Sequence, residues 1–175
     1  MADLSRDAER TRKNRRLGLT VAALIFLVDQ AVKWVVTYPL QLPHRQTIEI
    51  LPFFTLRWLK NTGVSMGLLP ADSELSRWLL VALTCAIAAF VTFWMWREKR
   101  RDDAVALALV LGGALGNILD RVRQGYVVDY ADLHFGDIHP FLVFNVGDAA
   151  ITIGVLLLLV RALLTRERKV PEEEK

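Results

Sequence analysis

Two aspartates, Asp129 and Asp148, stand in apolar surroundings, where a charged carboxylate is costly to bury. Asp129 lies between a pair of valines and a tyrosine, and Asp148 lies inside an apolar segment without a cationic neighbour. Two carboxylates in one water-accessible site of low dielectric cannot both ionise easily, so such a pair holds a shared proton. One carboxylate can then activate water while the other donates a proton, which suits amide hydrolysis. The same pair suits proton relay in a transporter equally well.

Two further groups of polar residues lie near the ends of apolar segments. Asp29 and Lys33 are four residues apart and can form an ion pair on one helix. Asn117, Asp120 and Arg121 are spaced so that they share one helix face. An ionisable residue at membrane depth is by default a functional candidate. An internal network that stabilises the helices is an equally good interpretation of both groups.

A serine protease is a weaker hypothesis. Residues 63–67 match the pattern G-x-S-x-G, with Ser65 as nucleophile and His134 or His139 as base. That pattern needs a strand-to-helix turn in an α/β sheet, which the sequence does not predict. The histidines lack the H-E-x-x-H spacing of metal hydrolases, so no metal site is expected. The single cysteine, Cys85, excludes a disulfide within the chain and is interpreted as a packing residue.

The elements that must position these residues are four apolar segments, each near the length that crosses a bilayer. They are Leu17–Val36, Leu75–Trp96, Ala104–Leu119 and Phe141–Leu164. The chain is 53% hydrophobic and 23% charged, which is close to the composition of a soluble protein. Whether the chain is a membrane protein therefore depends on how these residues are distributed along it. Four such helices in 175 residues leave nothing to cover them in water, so we predict that they span a membrane.

Lysine and arginine are divided unequally between the connecting segments. Fifteen lie in residues 1–16, 97–103 and 161–175, whereas five lie in residues 37–74 and 120–140. The positive-inside rule then places both termini in the cytoplasm and the loops 37–74 and 120–140 on the other side. We expect a basic cytoplasmic tail over residues 1–16, a transmembrane domain over 17–165 and a disordered cytoplasmic tail over 166–175.

The first outward loop is more than a connector. Gln46–Trp58 is rich in β-branched and aromatic residues and predicts short strands at the membrane surface, with Pro52 unsuited to a central strand. We expect Asn61–Leu69 to be helix-like and to close over the site that contains the two aspartates. The predicted fold class is an all-α membrane protein of four transmembrane helices, with a small β-rich extracytoplasmic subdomain in the first outward loop.

Five ordered motifs between residues 29 and 148 resemble those of the bacterial lipoprotein signal peptidases, or type II signal peptidases. They are DQAVK from residue 29, KNTGVSMG from 60, GGALGNILDR from 112, GYVVDY from 125 and FNVGD from 144. Any one of them alone is a weak signal, whereas five in this order are specific. Gly147 departs from the alanine usual in the family, and it leaves the Asp148 carboxylate in place.

The resemblance implies an aspartyl endopeptidase of the bacterial inner (plasma) membrane, with its active site toward the extracytoplasmic face. Asp129 and Asp148 match the catalytic pair. The residues matching positions that bind substrate or support the site are Asn61, Gly63, Asn117, Arg121 and Asn145. Those matching structural polar positions are Asp29, Lys33 and Asp120. The implied activity is removal of signal peptides from prolipoproteins, just before a cysteine that carries diacylglyceryl.

The resemblance also implies which partners to expect. They are the diacylglyceryl-modified prolipoprotein, membrane lipids and cyclic peptide antibiotics as inhibitors, with no cofactor, no metal ion and no nucleic acid. From the residues alone, a small proton-coupled transporter or channel subunit stays open as the alternative. It predicts ion flux, and no inverted repeat typical of transporters is visible in the sequence.

Overall fold

The computed structural model describes residues 2–63 and 74–166. Its elements are α1 (Ala2–Thr37), α2 (Leu42–Arg45), β1 (Thr47–Leu51), β2 (Phe54–Asn61), α3 (Glu74–Arg97), α4 (Arg101–Gln124), β3 (Val127–Leu133) and α5 (Val146–Arg166). Within the described residues, four helices are long and apolar enough to cross a membrane. Their spanning parts are Glu9–Thr37, Glu74–Arg97, Arg101–Gln124 and Val146–Leu164. The four predicted helices are therefore confirmed as candidate membrane spans.

Helix α4 lies at the centre, and α1, α3 and α5 pack around it. In its most apolar window 56% of residues are buried, against 22% or less in the other three helices. Glycines allow this close packing, because a methyl group at Gly112 would press on Ala22 of α1 and one at Gly113 would press on Gly147 of α5. The outer faces of α3 and α5 are apolar and exposed, as expected of surfaces that contact lipid.

The three strands form one antiparallel sheet in the order β1-β2-β3. Pro52 lies in the turn between β1 and β2, as its missing N–H requires. Strand β3 comes from the segment after α4, which corrects the prediction that the β-rich subdomain lies in the first outward loop alone. Strand β3 follows α4 directly, because Gly125 ends that helix in the left-handed conformation (φ 84°) and reverses the chain.

Several predicted boundaries differ from those observed. The fourth apolar segment becomes helical only at Val146, so Asp148 lies in the first turn of α5 rather than about two turns inside a helix. Helix α1 already begins at Ala2 and includes the part that was predicted as a separate tail. Cys85, interpreted as a packing residue, is exposed on the surface of α3. Ser65, most of the predicted closing helix and the tail 167–175 lie outside the described residues.

The basic connecting segments meet at one end of the helical bundle. The Asn14 side chain donates to the carbonyl of Lys99, Arg15 donates to the carbonyl of Trp96, and Arg161 pairs with Asp103. The sheet lies beyond the opposite ends of the helices, after α1 and α4. The bundle therefore has one basic end and one end that carries the sheet.

Candidate active site

Asp129 lies on β3 and is fully buried. The register of the sheet places Leu59 of β2 opposite Asp129, so that Asn61, two residues further on, extends over the same end of the strand. The Asn61 Nδ2 group donates to Asp129 Oδ2 at 2.9 Å. Asp129, which the sequence placed in the loop 120–140, thus lies on a strand, and its carboxylate faces the side-chain amide of Asn61 on the neighbouring strand.

The segment before α5 brings a second amide to Asp129. Phe144 pairs with Ala131 of β3 through backbone hydrogen bonds of 2.8 and 3.0 Å. This pairing fixes the next residue, Asn145, which is fully buried and donates from Nδ2 to Asp129 Oδ1 at 2.6 Å. The pairing also explains why residues 141–144 are not helical despite their apolar composition.

Asp148 accepts hydrogen bonds from two directions. Its Oδ1 accepts from Asn117 Nδ2 of α4 at 2.8 Å, and its Oδ2 accepts from the backbone N–H of Asn145 at 3.2 Å. Asn145 and Asn117 are themselves joined, with Asn145 Nδ2 3.2 Å from Asn117 Oδ1. The two aspartates are therefore connected through one pair of asparagines, although they are 19 residues apart in the chain.

The three asparagines all present their amide nitrogens to the carboxylates. Each amide oxygen accepts from a group that can only donate: Gly63 N–H for Asn61 (2.8 Å), Asp148 N–H for Asn145 (2.9 Å) and the Lys33 ammonium for Asn117 (3.0 Å). The orientation of each amide follows from these contacts, because a flipped amide would set donor against donor. The carboxylate pair thus faces three amide N–H donors, and the orientation of each amide is fixed by the hydrogen bond that its oxygen accepts.

A buried ionic cluster lies behind this site. Lys33 Nζ is 2.8 Å from both Asp29 and Asp120, which confirms the predicted Asp29–Lys33 pair and adds a third member. The cluster also holds backbone of the site: Asp120 Oδ2 accepts from the N–H of Val128 at 3.1 Å, and Asp29 Oδ1 accepts from the N–H of Gly147 at 2.8 Å. The residues next to Asp129 and Asp148 are therefore anchored on the same cluster.

Arg121 lies beside the site, in the place that Gly63 leaves open. Gly63 has φ of 78°, and a methyl group there would lie 3.2 Å from Arg121 Nη2 and 2.8 Å from Leu80 Cδ1. Among the described residues, the buried Nε of Arg121 has no hydrogen-bond partner. A guanidinium with an unused donor next to two carboxylates is suited to bind an acceptor such as a peptide carbonyl.

The two carboxyl groups differ in their surroundings. Burial raises the pKa of Asp129 from its ordinary 3.8 to about 6, and the charge of Asp148 adds to the rise. Hydrogen bonds from Asn61 and Asn145 and the charge of Lys33 lower it in part. Asp148 is half-buried and lies at the positive N-terminal end of α5, which stabilises negative charge. Asp129 is therefore harder to ionise than an exposed aspartate.

Asp148 borders an apolar cleft of about 400 Å³ between the segment before α5 and α5 itself. The other lining residues are Leu133, Phe141, Leu142, Phe144, Ala149, Thr152 and Ile153. The cleft runs from the carboxylate down the face of α5, so an apolar ligand in it would have one end beside Asp148.

The remaining candidates lie elsewhere in the sheet region. His139 Nδ1 contacts Asp132 at 2.9 Å, and His134 Nε2 contacts the Thr55 hydroxyl at 2.9 Å. Ser65, the nucleophile of the serine-protease hypothesis, lies outside the described residues. In the described part of the chain, no three His, Cys, Asp or Glu side chains are grouped as metal ligands.

The sequence did not predict the roles of two residues that support the site. Gln30 Nε2 donates to Asp120 Oδ1 at 3.1 Å and to the carbonyl of Gly116 at 3.3 Å, so it belongs to the ionic cluster. Arg77 of α3 donates to the carbonyls of Arg121 and Val122 at 2.8 and 2.7 Å and caps the end of α4. The sequence feature that could have indicated a role for Arg77 is its position as a single cation near the start of an otherwise apolar segment.

Comparisons with known proteins agree over most of the chain. The family model described as "Signal peptidase (SPase) II" matches residues 21–164. A lipoprotein signal peptidase of Rhizorhabdus wittichii is 61% identical over 160 residues, covering 91% of this chain and 93% of that protein. One of Sphingopyxis alaskensis is 57% identical over 153 residues, covering 87% and 88%. A solved bacterial membrane enzyme is similar with a TM-score of 0.74 at 26% identity, covering 91% and 94%.

Proposed function

This chain belongs to the signal peptidase II family, whose activity is the removal of signal peptides from prolipoproteins, and we propose that Asp129 and Asp148 perform the cleavage. The family and the four apolar helices make it a multi-pass membrane protein. The transporter alternative receives no support from the comparisons. The observation that carries the proposal is the asparagine bridge, which ties both carboxylates into one hydrogen-bonded unit beside an apolar cleft.

In the proposed reaction Asp148 is the base and Asp129 the acid. Asp148 takes a proton from water as the water oxygen attacks the scissile carbonyl carbon, and Asp129 gives its proton to the carbonyl oxygen. The tetrahedral intermediate then collapses as Asp129 takes that proton back and the C–N bond breaks. Asp148 passes its proton to the leaving amine, so both carboxyl groups end in their starting states. The greater burial of Asp129 and the position of Asp148 on the cleft support this assignment.

The remaining site residues support binding and orientation. Arg121 Nε donates to no acceptor among the described residues and can bind the substrate backbone, and Gly63 leaves the space that the guanidinium occupies. Asn61, Asn117 and Asn145 hold the carboxylates through their amide groups. The cleft beside Asp148 accepts the apolar part of the substrate, which for a diacylglyceryl-modified cysteine is its lipid. Cleavage then occurs just before that cysteine.

The proposed orientation in the membrane follows the charges. The basic end of the bundle is cytoplasmic by the positive-inside rule, so both termini are inside and the sheet and active site face the extracytoplasmic side. The membrane is the bacterial inner (plasma) membrane. Ile50, Leu51 and Phe53, at the β1–β2 turn, are exposed apolar residues that can rest on its surface. Cyclic peptide antibiotics act as inhibitors by occupying the substrate's place.

The test is cleavage of one prolipoprotein in two forms, with and without diacylglyceryl on its cysteine. The wild-type protein is expected to release the signal peptide from the lipidated form only. Asp129→Asn and Asp148→Asn should each abolish release while the protein stays folded, whereas Asp137→Asn, an exposed acid of the same loop region, should retain it. Full activity in either of the first two variants, or proton flux in proteoliposomes without peptide release, would overturn the proposal.

A further inference from the structure

The Lys33 ammonium contacts two carboxylates and one neutral amide oxygen. The residue is 4% exposed, and its ammonium contacts the carboxylates of Asp29 and Asp120 and, at 3.0 Å, the amide oxygen of Asn117. Neutralising two buried acids would explain a purely structural lysine. The contact with Asn117 is not needed for that purpose, and Asn117 is the residue that donates to Asp148.

The side-chain amide of Asn117 has two orientations of equal shape, which exchange its oxygen and its nitrogen. In the observed one the oxygen faces Lys33 and the nitrogen faces Asp148. The reversed amide would place its NH2 group against an ammonium that has no acceptor, and its oxygen against the Asp148 carboxylate. Both contacts would become repulsive while Asp148 is ionised. Lys33 at 3.0 Å and the Asn145 amide at 3.2 Å both donate to the Asn117 oxygen, and Lys33 is the charged and closer donor that holds the nitrogen of Asn117 toward Asp148.

We propose that Lys33 is a positioning residue for the cleavage reaction, holding the Asn117 amide so that it donates to Asp148. The proposal rests on the proposed function, because it assigns to Asp148 the role of an ionised base. It differs from the structural role implied by the family resemblance, since a structural lysine would affect the amount of folded protein and leave the chemistry of each folded molecule unchanged.

Lys33 also contributes to the field at the carboxylate pair. The charged groups that act on Asp129 are Asp148 of α5, Arg121 of α4 and Lys33 of α1, while β2 contributes the neutral Asn61. The positive charge of Lys33 lowers the pKa of Asp129, so its loss raises that pKa. Loss of Lys33 also removes one of the two donors to the Asn117 oxygen, so the amide is held less firmly toward Asp148. The raised pKa of Asp129 moves the pH range of activity upward, and the looser amide lowers kcat.

The experiment compares Lys33→Met with Arg161→Met in the full-length protein. Arg161→Met removes an ionic contact between α4 and α5 at the opposite end of the bundle, and so controls for general loss of helix packing. Kinetics are normalised to the folded fraction. Lys33→Met is expected to lower kcat about 10- to 100-fold, the usual effect of losing a residue that orients a reacting group, with little change in KM. Its pH profile should move to higher pH, while that of Arg161→Met should not.

A second comparison serves if two unpaired carboxylates prevent Lys33→Met from folding. Asp120→Asn removes one of the two acids, and the double variant Lys33→Met with Asp120→Asn is then compared with Asp120→Asn alone. A kcat and pH profile per folded molecule equal to those of the parent would overturn the inference. Asp148→Asn in the same assay separates the two proposals, because its full activity would overturn the proposed function itself.

Discussion

Asn145 and Asp148 cap each other at the first turn of α5. The Asn145 side-chain oxygen accepts from the backbone N–H of Asp148 at 2.9 Å, and the Asp148 carboxylate accepts from the backbone N–H of Asn145 at 3.2 Å. This is the reciprocal arrangement of a capping box, with an aspartate in the place usually taken by glutamate. The proposed base is thus part of the cap that begins its own helix, and its carboxylate is held by a backbone N–H on one oxygen and by the Asn117 amide on the other.

The capping relationship predicts that two substitutions of Asn145 will differ. Both substitutions remove a buried amide, but serine keeps a helix-capping oxygen, so Asn145→Ser should be more stable than Asn145→Ala by about 1 kcal/mol. Both variants lose the amide that donates to Asp129, so both should lose most of their activity. Thermal unfolding in detergent and signal-peptide release together check this prediction. A fully active Asn145→Ser would contradict the assigned role of the amide.

The buried Asp129 predicts a specific dependence of stability on pH. Its pKa is raised from 3.8 to about 6 in the folded protein, so between these values the folded chain holds a proton that the unfolded chain has released. Stability from this group is therefore complete below about pH 4 and declines as the pH rises to about 6, by up to about 1.4 kcal/mol per pH unit. The difference in unfolding free energy between the wild type and Asp129→Asn should change across this window. A constant difference would show that Asp129 does not hold the proton.

Removal of Asn61 should move the pH dependence of cleavage. Its amide lowers the pKa of Asp129, so Asn61→Ala raises that pKa further above about 6. If Asp129 must be protonated to act, the alkaline limb of kcat/KM shifts to higher pH, and kcat falls because the carboxyl group is less well held. Asn14→Ala is the matched control, since Asn14 also donates to one acceptor but at the basic end of the bundle. An unshifted limb in Asn61→Ala would argue against Asp129 as the acid.

The helices could be predicted from sequence because each depends on its own composition. A run of about 20 apolar residues has to be helical in a membrane whatever surrounds it, since every backbone group must be satisfied internally. Residues 141–145 show the limit of this argument. They are as apolar as the helix that follows, but Phe144 pairs with Ala131 of β3, and that long-range pairing cannot be inferred from local composition.

The sequence alone singled out the two carboxylates of the proposed site, but it did not reveal the contacts that hold them. Asp129 and Asp148 stood out as carboxylates in apolar sequence. Strand β3 did not, because it is buried on both faces and lacks the alternation that marks a half-exposed strand. The fixed orientations of the asparagine amides depend on partners from other elements, such as Lys33 for Asn117, and these become visible only once the chain is folded.

Glycine 116 should tolerate no larger residue, because it lies against the ionic cluster. A methyl group at Gly116 would collide with the Asp29 carboxylate, which is held by Lys33 and by the N–H of Gly147. Gly116→Ala is expected to cost about 1–3 kcal/mol and to reduce activity. At Gly18 the corresponding methyl group meets the side chain of Met95, which can shift more readily than a paired carboxylate, so Gly18→Ala should cost less. Equal losses of stability in the two variants would contradict this account of Gly116.

The apolar cleft predicts that bulk on one face of α5 will impair substrate binding. Ile153 lines the cleft and is 51% exposed, while Val155, two residues further on, is 49% exposed and points about 200° around the helix. Ile153→Trp fills part of the cleft, and we expect KM for the lipidated prolipoprotein to rise about tenfold with a smaller change in kcat. Val155→Trp adds the same bulk to the same helix, and its kinetics should match the wild type. Because both side chains are half-exposed and apolar, any effect on insertion or folding is shared, and the difference reports on the cleft alone. Equal KM values for the two variants would mean that the substrate's lipid lies elsewhere.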